Sequence, residues 1–174
     1  MFKFLAASIM MVAIYAQPMW FENPIIAPAS CADAEHISYH IHVMVLQTNA
    51  KQVAKTMDFQ RRFMDKFDLH GKQNCTFTAG DPRPSMQDIC TFPVDWKPEG
   101  PFFTAQYSWF IPKKDYERTT RWTRQNRDDL DVLIHPNSGC EVNDHTVWAM
   151  WAGNPWQIDP SIMSCNHPGC VPRD

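Results

Sequence analysis

The chain has 174 residues, of which 44% are hydrophobic and 20% charged, and 16 Lys plus Arg stand against 19 Asp plus Glu, for a formal charge of −3. That length and composition predict a single domain with a packed core and exclude wholesale disorder. The mild acidity argues against nucleic acid as a partner. No apolar run reaches the roughly 18 residues that span a bilayer, and no fixed period marks a repeat array.

Met1, Phe2 and Lys3 make a short positive start, residues 4–16 form an uncharged apolar run, and Gln17-Pro18 follows. The pattern predicts a signal peptide over residues 1–16, cut after Ala16, with a buried first helix as the competing reading. A proline-rich arm (Pro18, Pro24, Pro28) then covers residues 17–34. Six cysteines follow the leader: Cys31, Cys75, Cys90, Cys140, Cys165 and Cys170. An even count behind a leader predicts disulfides and a secreted, extracellular protein with no membrane association after processing. No two form C-x-x-C, which speaks against a zinc ribbon, and spacing does not choose among the pairings. Cys165 and Cys170 are close enough to pin the tail, residues 161–174, as a short loop. Asn74-Cys75-Thr76 is formally a glycosylation sequon.

The domain itself is expected over residues 35–160. In Tyr39-His40-Ile41-His42-Val43-Met44-Val45-Leu46 alternation puts Ile41, Val43 and Val45 on one face of a strand and His40, His42 and Met44 on the other. Thr48 or Asn49 caps a helix over residues 50–67, where Val53, Met57, Phe63, Met64 and Phe67 fall at helical spacing and Gly71 ends it. Residues 72–101 are loop-rich, with a strand around residues 87–92. Residues 102–110 read as a strand with Phe103, Ala105, Tyr107 and Trp109 alternating against Thr104, Gln106 and Ser108. Pro112 breaks it and opens a helix over residues 113–127. Residues 130–135 form a short strand ended by Pro136-Asn137-Ser138-Gly139, a turn cluster. Residues 144–151 are ambiguous between strand and helix. The order strand, helix, strand, strand, helix, strand predicts an α+β fold, the split βαβ or ferredoxin-like pattern with an antiparallel sheet. In it, two helices cover one sheet face and the other can hold a site.

His40 and His42 point the same way from one strand. If Val132 and Ile134 face the helices, His135 emerges beside them on the opposite face, and His145 follows ten residues later. Three or four imidazoles on one face are a metal pocket by type, since neutral imidazole suits Fe, Zn and Cu. A 2-His-1-carboxylate iron centre would also need an acid, for which Glu141 and Asp144 are the nearest candidates. His36, His70 and His167 lack such neighbours and read as surface or loop residues. Trp148, Trp151 and Trp156 read as core.

Tyr39-His40-Ile41-His42-Val43, then Leu133-Ile134-His135-Pro136-Asn137-Ser138-Gly139, then Asp144-His145-Thr146 with Ala149-Met150-Trp151-Ala152-Gly153 resemble, in order and spacing, the small DOPA 4,5-dioxygenase family of fungi and bacteria. The resemblance covers residues 36–159. It implies a ferredoxin-like domain and extradiol opening of a catechol such as DOPA by O2. The implied cofactor is Fe(II), with another divalent metal left open. The family's functional histidines carry over to His40, His42 and His135 as metal ligands and to His145 as the acid/base group or a fourth ligand. Phe102 and Tyr107, with Gln106 as the alternative on the same strand, are expected to line the substrate pocket. Where the family usually has Gly-Pro-His, this chain has Gly100-Pro101-Phe102, so an apolar ring replaces a group that could bind metal or move a proton. A catalytically silent secreted protein that binds a metal, an aromatic ligand or a partner protein is therefore the alternative function. A homodimer is left open.

Overall fold

Alternating β-branched and aromatic residues in three central strands set the architecture. The computed structural model describes residues 31–70, 75 and 88–163; the expected signal peptide, most of the arm, His167, and Cys165 and Cys170 of the tail lie outside them. The strands are β1 (Ser38–Val45), β2 (Cys90–Thr91), β3 (Ala105–Pro112), β4 (Val132–Asn137) and β5 (Met150–Ala152), and the helices are α1 (Ala50–Phe67), α2 (Tyr116–Asn126) and α3 (Glu141–His145). They form one sheet in the order β2-β3-β1-β4-β5, antiparallel at every pair. The first four strands with α1 and α2 follow the ferredoxin-like order, and β5 extends the β4 edge.

Ile41, Val43, Val45, Trp109, Val132 and Ile134 project to the helix side, where Phe59 and Phe63 of α1 meet them with no solvent exposure. The Phe63 ring stacks on Trp109 at 3.8 Å, and truncating such a side chain to alanine costs about 3–5 kcal/mol. Helix α1 starts where the Asn49 side chain accepts from the N–H groups of Lys51 (3.1 Å) and Gln52 (3.2 Å), satisfying two otherwise orphaned donors. It stops at Asp68, which takes the left-handed conformation with φ 55°, three residues before the expected stop at Gly71. Aspartate tolerates that region because its short polar side chain can bond locally.

Other boundaries move for physical reasons. The helix expected at residues 113–127 begins as a single 3-10 turn, Lys113–Asp115, and continues as α2. Its buried positions are Thr119 and Thr123, with Thr119 Oγ donating to the Asp115 carbonyl at 2.8 Å. Strand β3 begins at Ala105, so Phe102 lies outside it, bridged singly to Ile158. Strand β4 runs through Pro136 to Asn137 instead of ending at His135. The ambiguous stretch at residues 144–151 divides: the end of α3, a turn, then β5. No helix among the described residues is long and apolar enough to cross a membrane.

Candidate metal centre

The register that buries Ile41 and Val43 forces His40 and His42 to the sheet face away from the helices. There His40 stands directly opposite His135 on β4, and His42 opposite Ser108 on β3. The three rings are buried, and one ligand nitrogen from each lies within 4.8 Å of the others. Two apolar clusters flank them: Cys75, Cys90, Phe92 and Phe110 on one side, and Met44, Phe102 and Leu133 on the other, with Trp151 and Trp156 packed against it.

Hydrogen bonds decide which nitrogens carry protons. Asp95 Oδ2 accepts from Gln106 Nε2 at 2.5 Å, which turns Gln106 Oε1 toward His42. Nδ1–H of His42 therefore donates to it at 2.9 Å. Nδ1–H of His135 donates to the Pro136 carbonyl at 2.8 Å. Both Nε2 atoms are left with lone pairs, and they face each other at 3.1 Å. Two nitrogens on one first-row ion at about 2.1 Å stand about 3.0–3.4 Å apart, so the pair has ligand spacing. Imidazoles that donate their second N–H to a carbonyl are the usual arrangement around a bound metal. His40 Nδ1 is also buried without a hydrogen-bond partner. The donor set thus fits a divalent cation.

Burial keeps the rings neutral, as metal ligation requires. It lowers His42 to about 3, with the Gln106 bond opposing and His145 reinforcing. Burial, then the neighbouring imidazoles, hold His40 and His135 well below the usual value. Burial likewise lowers His145 to about 4, against the bond to Glu141.

His145 reaches this face from α3. Its ring lies 3.8 Å from that of His135 and 6.4 Å from that of His42, and its Nδ1–H donates to the Glu141 carbonyl at 2.9 Å. The turn before it is clamped by Asp144, which accepts from the Ser138 amide (3.0 Å) and hydroxyl (2.7 Å). Burial raises the Asp144 carboxyl to about 6 despite the bonds from Ser138 and Cys140. A disulfide joins Cys140 to Cys31, and another joins Cys75 to Cys90. These two bridges account for every described cysteine and fit an oxidising compartment.

Three expectations change. Tyr107 lies on the helix side, fully buried, its hydroxyl donating to the Thr56 carbonyl at 3.1 Å; its β3 neighbour Gln106 instead faces the histidines and hydrogen-bonds to His42. Asp144 serves the turn and Glu141 presents its backbone carbonyl to His145, so neither joins the three-histidine group. Trp151 and Trp156 pack as expected on a core cluster, the one on the site side of the sheet, but Trp148 joins no core cluster among the described residues and sits against half-buried His36, ring centres 5.4 Å apart.

Phe102, 5% exposed, does face the site, with its ring 4.8 Å from His42. A cavity of about 50 Å³ is bounded by His40, His42, Asp95, Phe102, Gln106 and Ser108. A larger groove, about 1120 Å³, runs between α2 and β5 and touches none of the histidines. Asp95 carried no sequence signal: burial, then the charge and hydrogen bond of Glu99, push its carboxyl up to about 6 while Gln106 pulls it down.

A split βαβ sheet with three buried, lone-pair-bearing imidazoles on the face away from the helices defines a small α+β domain whose His40, His42 and His135 could together hold a metal ion. The chain belongs to the Dopa 4,5-dioxygenase family, whose model matches residues 39–162. It is 24% identical over 121 residues to a DOPA 4,5-dioxygenase of Amanita muscaria, a match that covers 70% of this chain and 47% of that protein. The chain therefore spans about half the length of that curated relative. Its fold is shared with the crystal structure of a dioxygenase candidate from Nostoc punctiforme, with a TM-score of 0.55 at 20% identity, covering 72% of this chain and 90% of the other.

Proposed function

We propose that the protein is a secreted, Fe(II)-dependent extradiol dioxygenase that opens the ring of a catechol. The observation that carries this reading is the 3.1 Å convergence of the His42 and His135 Nε2 lone pairs in a chain of this family. His40, His42 and His135 would hold the metal. When bound, it would supply Lewis acidity that lowers the catechol pKa and would bring the two reactants together. Both oxygen atoms enter the ring-opened product, so no external reductant is needed. The Gln106 and Pro136 carbonyls orient His42 and His135. His145, with its Nδ1–H held by the Glu141 carbonyl and its ring 3.8 Å from that of His135, is the group beside the ligands placed to exchange a proton with a catechol hydroxyl. Phe102 forms an apolar wall that excludes water. The two disulfides and the leader-like residues 1–16 support secretion; intact-mass analysis of exported material, with a start at Gln17, tests it.

The enzymatic test is anaerobic Fe(II) loading followed by oxygen uptake and absorbance scanning with a catechol panel. The expected result is one O2 consumed per catechol, with appearance of a ring-opened chromophore. Iron-loaded protein that consumes no O2 with any catechol refutes the enzymatic reading. One observation favours the second reading, a catalytically silent ligand-binding protein: Phe102 closes on His42 and leaves a cavity of about 50 Å³. Catechol binding without oxygen uptake would establish it.

A further inference from the structure

We propose that Asp95 and Gln106 act as a positioning relay that decides which nitrogen of His42 faces His135. The proposal rests on the metal-site reading above for its consequence, but its first observable, the position of one proton, does not depend on a metal.

An amide side chain has no intrinsic preference for presenting its oxygen or its nitrogen to a neighbour. Gln106 is 6% exposed, so solvent does not decide for it; its second partner must. Asp95 is held opposite Gln106 by a pair of backbone bonds, N–H of Asp95 to the Gln106 carbonyl at 2.8 Å and N–H of Gln106 to the Asp95 carbonyl at 3.0 Å. That bridge lies outside β2 and β3 pairing proper and brings the Asp95 carboxyl within 2.5 Å of Gln106 Nε2. An ionised carboxylate only accepts. It therefore takes the amide nitrogen, and Oε1 is left for His42 at 2.9 Å. An oxygen there requires the His42 proton on Nδ1, so that Nε2 offers a lone pair toward His135.

The opposite orientation defeats the site. With Gln106 Nε2 toward His42, Nδ1 must accept and Nε2 must carry the proton. That proton would point at His135 Nε2, 3.1 Å away, and form a hydrogen bond where two ligand lone pairs now converge. Asp95 touches no histidine in this arrangement; it acts through Gln106 alone.

The test compares the full chain with D95N, Q106E and D95N/Q106E. The amide introduced by D95N can donate to Gln106, so this variant permits the flipped glutamine. The double variant reverses donor and acceptor between the two positions. Its new carboxylate at position 106 accepts from the new amide at position 95 with one oxygen, and from His42 Nδ1–H with the other. Long-range 1H–15N correlation spectra of the metal-free proteins locate the His42 proton, and anaerobic Fe(II) and Co(II) titrations read affinity. The relay predicts Nδ1–H in the parent, the appearance of an Nε2–H population in D95N with metal binding weakened by up to about 10–100-fold, and return of both to the parent's in the double variant. Q106E alone, which sets two carboxylates against each other, should not match the double variant. An unchanged His42 tautomer in D95N, or a double variant no better than D95N, overturns the relay. A parent that shows the predicted tautomers but binds neither metal upholds the relay and overturns the metal-site reading instead.

Discussion

Acidification should destabilise the metal-free protein, and four buried imidazoles set the size of the effect. His40, His42, His135 and His145 all have folded values below the 6.5 of an exposed histidine, His42 at about 3 and His145 at about 4. Between those values and 6.5 the unfolded chain binds protons that the folded chain refuses. The stability these groups contribute is thus fully present above pH 6.5 and is lost as pH falls toward 4 and 3. By pH 5 His42 and His145 have each cost about 2 kcal/mol, or about 4 kcal/mol together, and His40 and His135 add losses of the same sign. Asp144 and Asp95 act in the opposite sense, because their carboxyls are raised from 3.8 to about 6 and the folded state holds their protons first. Between pH 7.5 and pH 5 Asp144 returns about 1 kcal/mol, and half-buried Asp95 less because solvent screens it. The net loss from His42, His145, Asp144 and Asp95 is about 2 kcal/mol between pH 7.5 and pH 5, to which His40 and His135 add, a large share of the stability of a typical domain. Urea denaturation of chelator-treated protein at pH 5, 6, 7 and 8 measures it, and His145→Gln should reduce the loss by about 2 kcal/mol. A stability that stays level or rises from pH 7.5 to pH 5 would refute the claim that these rings are buried and neutral.

Three further outcomes follow from separate parts of the molecule. His42→Ala and His135→Ala should each abolish stoichiometric metal binding while circular dichroism stays native; tight binding by both variants would place the site elsewhere. Loss of the Cys31–Cys140 bridge, which spans 109 residues, should cost more in urea denaturation than loss of Cys75–Cys90, which spans 15, by about 1–2 kcal/mol on loop-closure entropy; the reverse order would contradict that account. Gly153→Ala should destabilise by about 1–3 kcal/mol, since φ is +99° and a Cβ would meet Asp131 Oδ1 at 2.3 Å, the carboxylate that holds the Asn154 amide and Trp156 Nε1. Gly100→Ala, with nothing within 4 Å of its Cβ, should cost less, and equal losses would show that Asp131 is not the cause.

What could be read without coordinates follows from periodicity. Strand alternation alone places His40, His42 and His135 on one face, because burying Ile41, Val43, Val132 and Ile134 leaves no other arrangement. The same rule could not choose between Gln106 and Tyr107, since the start of β3 is not marked and a shift of one residue exchanges the two faces. Asp95 was invisible for a related reason: an isolated bridge has no period. Phe102 is the position at which motif and structure meet, since the family motif marked it and the structure sets its ring 4.8 Å from His42 and 6.4 Å from His145. A phenyl ring there can neither donate to a catechol oxygen nor move a proton, and it faces a polar substrate group with a surface that offers no hydrogen bond. General acid–base groups contribute about 10²–10⁴-fold in rate, so the parent should cleave DOPA slowly even with iron bound and should favour a plain alkyl catechol. Phe102→His should raise the DOPA to alkyl-catechol ratio of kcat/KM by at least about tenfold, at a stability cost of about 1–3 kcal/mol from the Met44–Leu133 cluster that the ring now fills. Measuring both substrates on both proteins separates a catalytic gain from a general change in iron loading, which would move the two rates together. Rapid DOPA cleavage by the parent, with Phe102→His neutral or harmful, would show that this ring does not stand where a proton-transfer group is needed.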